Sequence, residues 1–475
     1  MFRHRTRAPA AAVILSGQTC ARRANRGMNH IALALVRSLG RRGVPVFRFH
    51  PDAMLHDLDS RYCKHVPCPN LYDDEAALVD ALRQFARTVG RAPVLFAASD
   101  AAASFLARHE EALAGRYRVS TAPAACIAEI QDKGRLYQRA IQLGLAVPRT
   151  FTPADESEVA AAAGAVTYPA VIKPLTSHHW KTTRVAALVG HAKAVEVNSP
   201  EALLAVYRRV APLAPRMMIQ EIVPGDDERL LTFLGYFDRE GRALAGCVRK
   251  KLRQSPPRFG YCCLTETVRD AEAMHAAIRL LSGLGYRGIG CVEFKRDPRD
   301  GQLKLIEVNT RAVRTTAVAG RAGIDLPYLA YLDMLGLPVR PCFHYRAGVR
   351  WIHLLDEVFA ASALMRRGEL SLEHWATLLR GPMVDAEWAW DDPLPFVGRT
   401  RGVLSRLAVV VARRRIIPPV RRGAVRLTTE MLTRGGQLGA ILGRVWAARR
   451  KLRPGKQPAA AAALGSIGQQ AVAAK

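Results

Sequence analysis

Two short stretches near the middle of the chain, Cys291-Val292-Glu293-Phe294-Lys295 and Leu305-Ile306-Glu307-Val308-Asn309, set acids and an amide into otherwise apolar runs. In a strand, side chains alternate between faces, so Glu307 and Asn309 share one face. Asp297-Pro298-Arg299-Asp300-Gly301 between the stretches is rich in turn residues and folds them into a hairpin, bringing Glu293 opposite that pair. Two carboxylates and a carboxamide on one patch are hard oxygen donors, the set that suits magnesium bridging nucleotide phosphates. The competing reading is plainer: each acid faces solvent or pairs with Lys295 or Arg311.

Other residues sharpen the chemistry. Lys173 lies inside Ala170-Val171-Ile172-Lys173-Pro174, an apolar strand bounded by prolines, where an unpaired ammonium is costly. Lys133 lies early in a helix. Gln220-Glu221-Ile222-Val223-Pro224-Gly225-Asp226 ends a strand in a turn, and Asp226-Asp227-Glu228 leads into the next.

In this order the features resemble the ATP-grasp superfamily: a lysine, a second lysine in a V-I-K-P strand, a hinge ending in P-G, then E…E-x-N-x-R. The resemblance covers roughly Ala11 to Leu335. Arg249-Lys250-Lys251-Leu252-Arg253-Gln254-Ser255-Pro256-Pro257, with Val292-Glu293-Phe294-Lys295 and Glu307-Val308-Asn309-Thr310-Arg311, looks like the predicted carboligase, or carboxylate–amine ligase, branch, with carbamoyl-phosphate synthase large subunits more distant. The resemblance implies that Lys133 and Lys173 contact nucleotide phosphates, that Gln220, Glu221 and Val223 form a hinge beside adenine mainly through backbone groups, and that Asp226 accepts from a ribose hydroxyl. It implies that Glu293, Glu307 and Asn309 bind one or two magnesium ions, with manganese as a substitute. It also implies that Arg311 stabilises the transferred phosphoryl group or the acyl phosphate. Lys251 and Arg253 are further candidates for phosphate or substrate, set against an exposed basic strand face.

Two departures from the pattern stand out. Many of these enzymes carry a glycine-rich phosphate loop after the second lysine, whereas this chain has Leu175-Thr176-Ser177-His178-His179-Trp180-Lys181, in which backbone amides with Ser177, Lys181 and Thr182 supply the donors. His178 and His179 are adjacent and point to opposite faces of an extended chain, which argues against a metal pair. Thr310 stands where the branch usually has proline, beside the acceptor site of relatives.

The implied reaction uses ATP and magnesium: a carboxylate attacks the γ-phosphorus to form an acyl phosphate, and an amine displaces phosphate to give an amide, with ADP as product. The alternative is a non-catalytic nucleotide-binding regulatory protein with a degenerate site. A dehydrogenase is disfavoured, because Ser16-Gly17-Gln18-Thr19-Cys20 lacks the G-x-G-x-x-G fingerprint.

The elements that must position these residues follow from periodicity. Strands at Ala11–Leu15, Pro45–Phe49 and Pro93–Ala97 alternate with helices at Asn29–Leu39, Asp74–Thr88 and Ser104–Leu113, a Rossmann-like α/β unit. A helix over Cys126–Gly144 is expected next. Strand patterns at Ala170–Pro174, Ala194–Val197, Met217–Val223, Leu230–Phe237, Ala243–Lys251, Gly290–Lys295 and Leu303–Val308, with helices at Pro200–Val210, Ala271–Leu284 and Leu326–Leu335, fit a two-lobed grasp fold. The expected division is a pre-ATP-grasp domain over 1–125, a small lobe over 126–215, a large lobe with the metal site over 216–345, a mostly helical basic extension over 346–456 and a disordered tail over 457–475.

With 475 residues and roughly half of them apolar, the chain can bury more than one core. Lys and Arg total 70 against 41 acids, a formal charge of +29 that favours anionic partners without choosing among them. From Phe396 to Lys456 there are 16 Lys or Arg and the single acid Glu430, and Ile441, Leu442, Val445 and Trp446 recur at helical spacing. That helix either packs on the core with a solvated arginine face or lies on an anionic membrane surface. No nucleic-acid module is recognisable. Nine cysteines without a C-x-x-C pair argue for reduced thiols and a cytoplasmic location rather than disulfides or zinc ligation, Cys63 and Cys68 included. The Ala8–Leu15 run reads as a first strand, no stretch is long enough to span a bilayer, and the partners expected are a small carboxylate and an amine, with a homodimer allowed.

Overall fold

A computed structural model of the chain describes residues 9–16, 29–51, 59–175, 180, 183–189, 194–257 and 260–400. The candidate Ser177 with His178, His179, Lys181 and Thr182, the basic helix around Trp446 and the tail beyond it lie outside the described residues.

Three sheets follow one another along the chain. The first is parallel throughout: β1 (Ala12–Leu15), β2 (Val46–Phe49), β3 (Cys63–Val66), β4 (Val94–Ala97) and β5 (Arg118–Ser120) lie in the order β3-β2-β1-β4-β5. β1 and β4 are buried along their whole length, as central parallel strands covered on both faces must be. Helices His30–Gly40, Glu75–Thr88 and Asp100–Arg108 begin where Asn29, Asp74 and Ser99 cap free backbone amides. The strand order reverses between β1 and β4, so the helices that follow those two strands start at the crevice where parallel sheets commonly bind ligands.

The second sheet is antiparallel and small: β6 (Thr150–Phe151), β7 (Ala170–Pro174), β8 (Val195–Val197) and β9 (Met217–Glu221), in the order β6-β9-β7-β8. Helices Glu156–Ala165 and Pro200–Val210 cover it, with Val159, Ile172, Leu203, Tyr207 and Ile219 in one core.

The third sheet has seven strands: β10 (Leu230–Phe237), β11 (Ala243–Ser255), β12 (Tyr261–Val268), β13 (Gly288–Arg296), β14 (Leu303–Asn309), β15 (Arg350–Ile352) and β16 (Met383–Asp385). Their order is β14-β13-β10-β11-β12-β15-β16. The last two strands come from the stretch beyond 345 that the sequence reads as helical. They join this sheet beside helices Leu354–Arg366 and Leu372–Leu378. β11 runs four residues past the expected Lys251, and β12 was not expected at all.

One helix expected over Cys126–Gly144 is two, Ala124–Gln131 and Lys133–Gln142. Asp132 is extended (φ −85°, ψ 105°) and its carboxylate accepts from the amides of Gly134 and Arg135, so it ends one helix and caps the next. Lys133 thereby becomes the first residue of a helix. Tyr137 of that helix donates to the Ile306 carbonyl (2.9 Å), and the Leu305 amide donates to the Ala146 carbonyl (2.9 Å), tying this segment to β14.

Candidate active site

The hairpin β13–β14 pairs Glu293 directly with Glu307 and Cys291 with Asn309. Continuing across the sheet, Glu293 pairs with Thr232, Thr232 with Arg249 and Arg249 with Thr267. One transverse row therefore reads Glu307, Glu293, Thr232, Arg249, Thr267. Both acids stand on one face, as the alternation predicts, with Glu307 exposed and Asn309 half-buried one row away.

The partner of Glu293 is neither Lys295 nor Arg311. It is Lys251, whose ammonium lies 2.9 Å from Oε1 and 2.8 Å from Oε2. Burial alone would lower the Lys251 pKa, but the adjacent carboxylate outweighs it and holds the group above its usual value. A cation that contacts both Glu293 oxygens marks this patch as one that favours positive charge. Lys295 instead donates to the Gly225 carbonyl (2.7 Å) at the P-G turn, where Gly225 adopts a φ of +94° that other residues rarely take.

Lys173 reaches out of β7 to Gln220 Oε1 on β9 (2.7 Å), and Gln220 donates in turn to Thr150 on β6 (2.8 Å). The buried strand thus has its lysine tethered but not neutralised. Burial, then repulsion from Lys133, lower the Lys173 pKa to about 7, against a raising pull from Glu307. Lys133 and Glu307 therefore both lie near enough to Lys173 to act on its charge.

The side chain of Glu221, a hinge candidate, has other work. Its carboxylate takes the Arg149 amide (2.9 Å), the Arg299 guanidinium (2.9 Å) and Lys304 (3.3 Å), and the last two also bind buried Asp297 in the β13–β14 turn. Hydrogen bonds from Arg299, ahead of those from Lys304, hold the Asp297 carboxyl well below its ordinary range. This network fixes the end of β9 against the turn and occupies the Glu221 carboxylate, while the Glu221 amide donates to the Arg149 carbonyl (3.0 Å). Val223 is buried behind it and Asp226 is exposed at the start of the following turn.

Arg311 is half-buried beside the hairpin and aims across to the parallel unit, where Nε and Nη2 each lie 2.9 Å from the carboxylate of Asp100. Asp100 opens the helix after β4. Arg253, considered for substrate, is instead closed into a buried ion pair with Glu357 (2.8 Å), which also accepts from Trp375 Nε1 (3.0 Å). Arg249 is buried with hydrogen bonds to Thr265 (3.1 Å) and the Cys262 sulfur (3.6 Å). Arg314 contacts Asp356 (3.2 Å) and lies over the Trp351 ring.

Beyond Arg314 a second cluster joins three distant segments. His30 Nε2 and His353 Nε2 each lie 2.7 Å from Glu387 Oε1, and His353 Nδ1 lies 2.8 Å from Asp356. Burial holds both imidazoles below the ordinary histidine range, with Asp356 opposing the shift at His353. Sequence spacing gives no sign of this cluster or of Asp100, since the partners lie hundreds of positions apart. Arg249 was visible only as one member of a basic run.

A family model described as "Carbamoyl-phosphate synthase L chain, ATP binding domain" matches residues 263–332, which include the paired acids. The chain is 22% identical over 240 residues to a D-aspartate ligase of Enterococcus faecium (strain Aus0004), covering 49% of this chain and 56% of that protein. It is 23% identical over 216 residues to a D-alanine–D-alanine ligase of Pseudomonas putida (strain GB-1), covering 42% and 61%. The alignments span less than two thirds of these relatives. In fold it is similar to the biotin carboxylase domain of 2-oxoglutarate carboxylase from Hydrogenobacter thermophilus, solved with MgADP and bicarbonate, with a TM-score of 0.53, 15% identity and coverage of 71% and 73%.

Proposed function

We propose that this protein is a member of the ATP-grasp superfamily and an ADP-forming ligase that joins a carboxylate to an amine, a reading supported by the matched ATP-binding domain and the ligase relatives. The observation that carries the reading is the Glu293–Glu307 register with Lys173 and Lys133 gathered beside Glu307. Lysines beside paired acids are what a polyphosphate and its counter-ion require.

The donor set fits magnesium: Glu293, Glu307 and Asn309 offer hard oxygens, and the demand for a cation is visible in the Lys251 contact. Bound there, one or two ions would neutralise phosphate charge and polarise the γ-phosphoryl group. Manganese satisfies the same donors.

Within this reading Lys133 and Lys173 bind the phosphates, Lys173 gaining its proton as they arrive. Backbone groups of Gln220, Glu221 and Val223 face adenine, Asp226 takes a ribose hydroxyl, and Ser177 belongs to the phosphate loop. A substrate carboxylate oxygen attacks the γ-phosphorus as the bond to the β–γ bridging oxygen breaks, giving ADP and an acyl phosphate. A neutral amine then attacks the acyl carbon, inorganic phosphate leaves with the electron pair of the C–O bond, and the extra proton on nitrogen passes to solvent to give the amide. Arg311, held by Asp100 at the mouth of the parallel unit, stabilises the charge on the transferred phosphoryl oxygens. The parallel unit serves as the Rossmann-like domain before the two grasp lobes, and small-molecule acid and amine are the partners.

The test is ADP release from the full chain with ATP and magnesium across a matrix of carboxylates, amino acids included, and amines. The reading expects release that needs both co-substrates, and formation of the amide. Tight nucleotide binding with no release from any pair would instead support a regulatory protein that keeps the fold.

Among the described residues no helix is long and apolar enough to cross a membrane.

A further inference from the structure

We propose that His30, His353 and Glu387 form a site for a divalent transition-metal ion, with zinc the best fit, using none of the residues assigned to magnesium. The site is built by topology. β15 and β16 run parallel, Ile352 pairs with Asp385, and the Ala386 amide donates to the Ile352 carbonyl (2.8 Å), so His353 and Glu387 leave neighbouring strand ends together. Asp385 accepts from the amides of Glu387 and Trp388 (2.9 Å each), fixing the turn that presents Glu387. His30 arrives as the first residue of the helix after β1, its ring edge-on to that of His353 with centroids 4.8 Å apart.

The atoms that converge are the ones a metal needs. His353 Nδ1 lies 2.8 Å from the Asp356 carboxylate and 3.3 Å from the Asp356 amide, so Asp356 fixes that edge of the ring and turns Nε2 toward Glu387. Nε2 of His353, Nε2 of His30 and a carboxylate oxygen of Glu387 lie within 4.8 Å of one another, a spacing that one ion can bridge. The acceptor on the far nitrogen of a ligating histidine is the usual outer partner of a zinc imidazole. Two imidazoles and one carboxylate are borderline donors that favour zinc over magnesium, and three protein ligands leave one tetrahedral position for water or a substrate atom.

Arg399 supplies the cation in the absence of metal. Its Nη1 lies 2.9 Å from His353 Nε2 and 3.4 Å from His30 Nε2, and it contacts Glu387 Oε1. A guanidinium can only donate, so its position at the focus of three acceptors marks where positive charge belongs. Metal and Arg399 then compete for the same point. That competition separates this proposal from a purely structural ion-pair knot.

The experiment uses the full-length protein, stripped with chelator, dialysed against excess magnesium and titrated with Zn²⁺ or Co²⁺. The expected result is one zinc per chain by elemental analysis and visible Co²⁺ absorption of tetrahedral intensity. Affinity should fall at least ~100-fold in a His30→Ala/His353→Ala variant, and roughly 10-fold or more in Asp356→Asn. Arg399→Ala should bind the metal more tightly, a result that does not depend on the histidine variants folding. Substoichiometric metal in both the parent protein and Arg399→Ala would overturn the proposal. So would Co²⁺ absorption that is unchanged in a folded double-histidine variant.

Discussion

Arg311 and Asp100, 211 positions apart, meet through two 2.9 Å contacts that join the acid-bearing hairpin to the first turn of the helix after β4. The pairing explains how a half-buried guanidinium can be held at the edge of a site without collapsing onto Glu307. It also makes Asp100 a positioning residue. Asp100→Asn is expected to lower kcat of the proposed ligase reaction roughly 10-fold while leaving the KM for ATP within about twofold, and Arg311→Ala to cost roughly 10²–10³-fold in kcat, the scale of a lost charge-stabilising donor. Steady-state kinetics on both variants checks this. An unchanged kcat in Arg311→Ala would remove the arginine from the chemistry.

Glu307 is exposed, so Glu307→Gln leaves no buried charge unpaired. Its effect should fall on turnover alone: ADP release down more than about 100-fold, with the thermal midpoint within a degree or two of the parent. Full ADP release by the variant would show that the hairpin does not hold the metal.

Much of this was legible from residue types because strand alternation is local. Glu307 and Asn309 alternate with apolar neighbours, so their shared face follows from period two, and the turn residues between the two runs mark the hairpin. The level pairing of Glu293 with Glu307 comes from the bulge between Glu293 and Phe294, which takes up Ile306; the unbroken ladder from the turn would set Glu293 against Ile306, and residue types give no sign of that bulge. Lys173 was legible for a different reason: an ammonium in an apolar strand has to answer to something. Partner choice was not legible. Lys251 rather than Lys295 meets Glu293 because β10 lies between β13 and β11, and sheet order is a property of the whole fold. Tyr261–Val268 escaped notice because Cys262, Cys263, Thr265 and Glu266 blur its alternation. The break at Asp132 was readable in principle, since Asp followed by Lys-Gly is a cap signal inside an otherwise helical run. His30, His353 and Glu387 had no such signal.

Lys251 and Glu293 form a largely buried pair, so removing the lysine takes away a cation held against both carboxylate oxygens. Lys251→Met should destabilise the protein by about 3–5 kcal/mol, the usual cost of breaking a buried ion pair from one side. Because the carboxylate belongs to the proposed magnesium patch, millimolar Mg²⁺ should restore more stability to the variant than it adds to the parent. Denaturant melts with and without magnesium decide the point. Equal magnesium effects in the two proteins would place Glu293 outside the metal site.

Arg253 and Glu357 offer the contrasting case of a buried pair with no assigned chemistry. Glu357 also holds Trp375 Nε1, so the pair clamps helix Leu354–Arg366 and helix Leu372–Leu378 to β11. Arg253→Met is expected to cost about 3–5 kcal/mol with nothing to rescue it. The kcat of the protein that remains folded should be unchanged, measured by urea melts alongside activity per folded molecule.

Lys173 predicts a pH signature. Its folded value of about 7 lies below the 10.5 of a free lysine, so between those values the unfolded chain binds more protons and stability rises with pH. Below about 7 both states are protonated and the slope vanishes. Arriving phosphates favour the charged form and raise the folded value. At pH 8, then, ATP binding should take up close to one proton. Above pH 7 affinity should weaken by up to about tenfold per pH unit, until the pH passes the raised value. Calorimetric titrations at pH 8 in buffers of different ionisation enthalpy measure the proton directly, and Lys173→Met should abolish its uptake. A parent protein that binds ATP at pH 8 with no proton uptake would mean that Lys173 does not meet the phosphates.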